Sequence, residues 1–366
     1  MKNKIYLLGW TIILPVMAWV VYLFHNVFTG HFYSLVLVFF LISSVLAAVY
    51  HSEIIAYRVG EPYGTLLLAF AITVIEAALI ISIMLSSKGL ESISLARDTV
   101  FAAVMIILTG IIGVCIIVGS LKYREQVFTL QGVSTALITL TSIVVFILIL
   151  PNYTISHTGG EYTPYQLIFI SLICLALYIG FTMIQTVRHR AYFIAPIPNK
   201  NSDFSEDDIP LEKPSRKVMY FSIILLLLCL GIVVLLAKNL SKDVDTLVIG
   251  LGAPKSLVGI IIAGIVLLPE GLAAIRAAYN NRLQTSLNLA LGSALASIGL
   301  SIPFIAFVSV IADMRMMLGI SIKSILLLGL SLFIITVSLA TGRTNIMQGL
   351  VLIAIFILYL FTTLEP

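Results

Sequence analysis

The sequence predicts an all-α integral membrane protein of about eleven transmembrane helices, arranged as one extra N-terminal helix plus two inverted five-helix repeats. Three observations predict it. The 366 residues are 60% hydrophobic and 10% charged, with a mean hydropathy of +1.13, far from the composition of a soluble domain. Apolar runs of about 18 to 25 residues recur from end to end, each long enough to cross a hydrocarbon core roughly 30 Å thick as a helix. One long polar insertion splits these runs into two sets. The short alternating strands of a membrane barrel are not seen.

The apolar runs fall near 5–25, 33–57, 63–86, 98–120, 127–150, 164–187, 218–238, 246–272, 285–311, 321–341 and 345–362. The first, MKNKIYLLGWTIILPVMAWVVYLF, starts like a signal peptide. It is longer than the usual apolar region of one and no small-x-small cleavage site follows, so it reads as a retained span. This organisation gives an extra N-terminal span at 1–30, a first repeat at 31–187, a cytoplasmic linker at 188–217 and a second repeat at 218–366. Five spans per half is an odd number, so the second half enters the membrane from the side opposite to the first, the inverted arrangement of many secondary transporters.

With the N-terminus in the cytoplasm, 14 of the 21 Lys and Arg residues fall on inside segments, as the positive-inside rule requires. The C-terminus is then outside, and the chain is a multi-pass protein of the cell membrane. The net charge of +4 therefore reports orientation, and the expected partners are membrane lipid and inorganic cations, not nucleic acid. Cys115, Cys174 and Cys229 lie in separate apolar runs without ligand spacing and read as inert packing. The linker contains PIPNKNSDFSEDDIPLEKP; its Asp203, Glu206, Asp207 and Asp208 form either a regulatory cation loop or simply a solvated acidic segment.

Two glutamates stand deep in spans: Glu76 in ITVIEAALI and Glu270 in IVLLPEGLA. Each lies near mid-bilayer in the second span of its half. A charged residue at that depth costs about 2.5–3.5 kcal/mol on insertion scales, and no Lys or Arg stands at the same depth to pair with it. Two carboxylates on opposed helices instead suit a desolvated cation, with protons competing for the same oxygens. Pro269 removes a backbone donor directly before Glu270 and loosens the helix there, and freed carbonyls can coordinate a cation where the backbone lines a cavity. Thr73 offers a hydroxyl one turn from Glu76, and Asn288 and Ser293 offer further oxygens in the next span of the second half. His51 and Glu53, near the cytoplasmic end of the second span, read either as a proton relay or gate or as an interfacial cap in which Glu53 reaches toward Arg58.

Four stretches, RVGEPYGTLLLAFAITVIEAALI, GSLKYREQVF, QTVRHRAYF and LLPEGLAAIRAAYNNRLQTSLNLALGSALASIGLSIP, together resemble the ChaA-type cation/proton antiporters. That group is a branch of the calcium/cation antiporter superfamily close to the calcium:proton exchangers. The likeness runs from about His51 to Asn345. It implies eleven spans with two inverted repeats, an acidic loop between them, and one essential acid per repeat, at Glu76 and Glu270. Where calcium:proton exchangers carry Gly-Asn-x-x-Glu, this chain reads Ile72-Thr73-Val74-Ile75-Glu76 and Val266-Leu267-Leu268-Pro269-Glu270. The first-repeat Gly-Ser-x-x-x-Asn is replaced by Ala102-Ala103 and Ile106-Ile107, Gly292-Ser293 is kept, and the glutamine that usually follows is Ala296.

The expected function is therefore a secondary antiporter that exports Ca2+, with Na+ or K+ made more plausible by the lost asparagines, in exchange for protons and without a cofactor. A monovalent Na+ or K+/proton antiporter and a cation channel are the alternatives. An enzyme is disfavoured, since the five His residues are scattered and no nucleophile-base set appears at mid-depth.

Overall fold

The computed structural model describes residues 9–23, 31–59, 70–71, 73–74, 76–81, 84, 90–155, 159–194, 214–250 and 256–365. They are overwhelmingly helical, because in hydrocarbon a helix satisfies its own main-chain donors and acceptors. The chain forms two compact units, Met1–Ile83 with Ile197–Val244, and Met84–Pro196 with Asp245–Pro366.

The first unit contains α1 (Trp10–Leu23) and α2 (His31–Val59); the described residues between 70 and 84 are also helical. α1 and α2 pack through small residues, with Ala18, Ala47 and Ala48 fully buried. Most of α7 (Arg216–Gly250) belongs here too. Trp19 donates from Nε1 to the Leu228 carbonyl, and its ring lies where a Cβ on Gly231 would stand 3.2 Å away.

In the second unit, α3 (Leu90–Met105) passes through a π-helical segment, Ile106–Ile111, into α4 (Ile112–Tyr123). Strand β1 (Gln126–Val127) follows, then α5 (Leu130–Val144), α6 (Pro164–Met183), α8 (Ser256–Tyr279) and α9 (Leu283–Ala296). A second π-helical segment, Ser297–Ser301, joins α9 to α10 (Ile302–Ile311); α11 (Ile322–Leu339), strand β2 (Arg343–Thr344) and α12 (Ile346–Leu364) complete the unit. β1 and β2 pair antiparallel, Gln126 with Thr344 and Val127 with Arg343. The centre is the α3–α4 span, where Met105, Ile107, Leu108, Ile112 and Ile116 are fully buried. α12 approaches α4 closely: a Cβ on Gly349 would stand 2.9 Å from the Gly113 carbonyl oxygen. Phe169, Leu172, Phe333 and Phe361 face outward, as lipid-facing side chains do.

Among the described residues eight helices are long and apolar enough to cross a membrane, and a bent pair, Gly259–Leu268 with Glu270–Tyr279, makes a ninth if it is one span. Trp10–Leu23 is a shorter apolar helix of 14 residues. Span starts predicted at 164, 321 and 345 coincide with capped helices. Thr163 and Gln166, and Asn345 and Gln348, form reciprocal capping boxes, and the Ser321 hydroxyl accepts from the Ser324 amide.

The largest departure concerns the runs at 218–238 and 246–272. α7 continues to Gly250 and α8 starts only at Ser256. Lys238, Lys242, Asp243 and Asp245 end the apolar run without ending the helix, because charge closes a membrane stretch whereas Lys is itself a good helix former.

Candidate functional site

Glu76 lies in the first unit and is 3% exposed. Thr73, one turn earlier, is 4% exposed, so hydroxyl and carboxylate share one buried helix face. Ala77 and Ile80 beside them are fully buried.

Glu270 lies in the second unit, and both its carboxylate oxygens are sealed from solvent. It is the first residue of the post-bend segment of α8, which turns by 53° between Leu268 and Glu270. A proline at position 269 accounts for the bend, since it has no N–H to give the helix. Gly271 then faces the first π-helical segment: a Cβ on it would lie 3.2 Å from Ile111 Cδ1. Earlier on α8, Gly259 meets α3 backbone to backbone, with a Cβ position 3.0 Å from Asp98 C and Thr99 N.

In α3 and the π-helical segment that follows it, Ala102, Ala103 and Ile107 are fully buried. In α9, Gly292 and Ser293 are half-buried, and a Cβ on Gly292 would meet nothing within 4 Å. Asn288 is engaged elsewhere: its Nδ2 donates to the Phe193 carbonyl at 2.6 Å, and its Oδ1 accepts from Gln284 Nε2 at 2.9 Å.

His51 and Glu53 do not come together. His51 is fully buried, whereas Glu53 is exposed, since residues two apart on a helix point to different sides. His51 Nε2 is 3.2 Å from the Thr11 carbonyl; a carbonyl only accepts, so Nε2 carries the hydrogen. Asp203, Glu206, Asp207 and Asp208 lie outside the described residues. Among the described residues no group of three or more His, Cys, Asp and Glu is placed to hold a metal ion.

Several polar features have no signature in hydropathy. Thr109 in the first π-helical segment and Ser297 and Ser301 in the second are buried hydroxyl residues. The two π-helical segments lie 190 residues apart, with Ile107–Ile111 matching Ser297–Ser301 at that offset. π-Helical insertions concentrate at functional sites. Arg97 and Asp98 form an ion pair of 2.8 Å at 20% side-chain exposure each. The Arg97 Nη1 also reaches the Met317 sulfur and the Gly319 carbonyl. Gln126, only 2% exposed, donates from Nε2 to the Ala278 carbonyl and Asn281 Oδ1 at the end of α8.

Residues 29–187 and 221–364 match the family model described as sodium/calcium exchanger protein. The chain is 44% identical over 327 residues to the putative ionic transporter y4hA of Sinorhizobium fredii, covering 89% of this chain and 87% of the relative. It is 31% identical over 323 residues to the sodium-potassium/proton antiporter ChaA of Escherichia coli, covering 88% and 86%. In fold it resembles the crystal structure of the H+/Ca2+ exchanger CAX, with a TM-score of 0.71 at 16% identity, over 96% of this chain and 87% of that one.

Proposed function

Since this chain belongs to the sodium/calcium exchanger protein family, whose members are membrane antiporters of cations, we propose that it exports cytoplasmic Ca2+, with Na+ or K+ as further cargo, in exchange for protons. The observation that carries this reading is a carboxylate, Glu270, shielded from solvent at a bent helix. Glu76, buried on another helix beside Thr73, supplies the second acid. Charge on a carboxylate in a dry interior is costly, so in the transport cycle each acid takes up a proton or a cation. Exchange follows if only the loaded forms rearrange between inward and outward access.

The architecture proposed around the two acids has eleven spans, one extra N-terminal helix and two inverted repeats, with the N-terminus in the cytoplasm and the C-terminus outside. The matching π-helical segments of the third spans support the repeat. Thr73 and Ser293 are proposed as supporting oxygens.

A second reading restricts the cargo to Na+ and K+. It is favoured by the buried apolar side chains of Ala102, Ala103 and Ile107, which stand where the resemblance implies Gly, Ser and Asn and offer no oxygens to a divalent ion, and by the identity to a sodium-potassium/proton antiporter. Inside-out vesicles separate the readings. Cation addition should collapse an imposed pH gradient, and the cations that do so give the selectivity. Retained exchange in both Glu76→Gln and Glu270→Gln would sink the mechanism, and cation flux that leaves the gradient intact would indicate a channel.

A further inference from the structure

The geometry points to Gln126 as a positioning residue for the Glu270 carboxylate, an inference that rests on Glu270 being a cation ligand. After the bend at Pro269, Glu270–Tyr279 is a separate ten-residue segment, about 15 Å long at the helical rise. One end is the pivot beside Glu270. The other is held by side chains from a different part of the chain. Gln126 Nε2 donates to the Ala278 carbonyl at 2.9 Å and to Asn281 Oδ1 at 3.1 Å. Lys122 Nζ donates to the Tyr279 carbonyl at 3.2 Å while lying 3.8 Å from the Tyr279 ring centroid.

Gln126 is suited to this by its own restraints. Its main chain is paired with Thr344 across the β1–β2 ladder. Its amide rests on α4 where only glycine fits, because a Cβ on Gly119 would overlap Gln126 Oε1. Both Nε2 partners are acceptors, which fixes the orientation of the amide and leaves Oε1 buried without a hydrogen bond among the described residues. A buried polar atom left unmet calls for an explanation, and holding two acceptors at the end of α8 provides one. A helical segment pinned at its far end presents the side chain at its pivot in one orientation, and preorganised ligands bind more tightly than those that must be ordered on binding.

The test uses the purified full chain and the variants Gln126→Met and Gly119→Ala, the second displacing the amide without altering it. Ca2+, Na+ and K+ binding is measured by titration calorimetry, and amide exchange is followed at Asn280–Arg282. Both variants should weaken the affinity of whichever cation binds by about fivefold, the equivalent of one net hydrogen bond, with the bound stoichiometry unchanged and exchange at Asn280–Arg282 accelerated. A merely structural role would reduce the fraction of competent protein and leave the dissociation constant of the remainder unchanged; that result overturns the inference. Unaltered exchange at Asn280–Arg282 would also overturn it. Absence of cation binding by the unmodified protein would instead overturn the assignment of Glu270 as a ligand, and the role of Gln126 with it.

Discussion

His51 donates its Nε2–H to the Thr11 carbonyl across 3.2 Å, and the helical partner of that carbonyl, four residues on, is Pro15, which has no N–H to give. The histidine therefore supplies a donor that the proline withholds. This explains a fully buried imidazole at the contact of α1 and α2 without assigning it to transport.

His51→Leu should lower stability by about 0.5–1.5 kcal/mol, the net worth of the hydrogen bond it loses. In a Pro15→Ala background, where the restored main-chain N–H donates in place of the imidazole, the same change should cost less. Thermal unfolding of the four proteins in detergent checks it, and equal losses in both backgrounds would refute the link.

Glu53→Gln should keep cation-dependent proton exchange, because Glu53 is exposed on a side of α2 away from His51. Glu76→Gln and Glu270→Gln should each abolish it, since an amide neither carries the proton nor compensates a cation. Vesicle assays at matched protein levels measure all three.

Gly259→Ala should destabilise by about 1–3 kcal/mol, as overpacking does. The new Cβ would stand 3.0 Å from main-chain atoms of Asp98 and Thr99, which cannot step aside. Gly264→Ala, on the same helix with nothing within 4 Å of its Cβ position, should be neutral or stabilise by about 0.5–1 kcal/mol through helix propensity. Melting temperatures of the two variants should move apart.

Ala103→Ser combined with Ile107→Asn should shift exchange toward Ca2+ relative to Na+ and K+. Both positions are fully buried on a span packed against α8, so added oxygens there favour the ion that takes more ligands. Cation-by-cation titration of proton exchange at several pH values reads the ratio, and an unchanged ratio would place these residues outside the cation path.

Hydropathy alone determined that the chain is a helical membrane protein, where its apolar runs lie, and that Glu76 and Glu270 stand within them. Burial in hydrocarbon is a property of about twenty consecutive side chains, so a running sum along the chain reports it. The proline before Glu270, which removes a backbone donor, coincides with the 53° bend between Leu268 and Glu270. The tertiary structure alone decided which polar groups meet. Asn288 reads as an oxygen ligand by its span, yet its amide is taken by Gln284 and the Phe193 carbonyl. His51 and Glu53 are neighbours in sequence and part on the helix, and Gln126 in a short connecting strand clasps a helix end 152 residues away. Hydrogen-bond partners are set by packing between distant elements, and the π-helical turns at Ile106–Ile111 and Ser297–Ser301 change the register of a helix without changing its hydropathy. No one-dimensional pattern carries either.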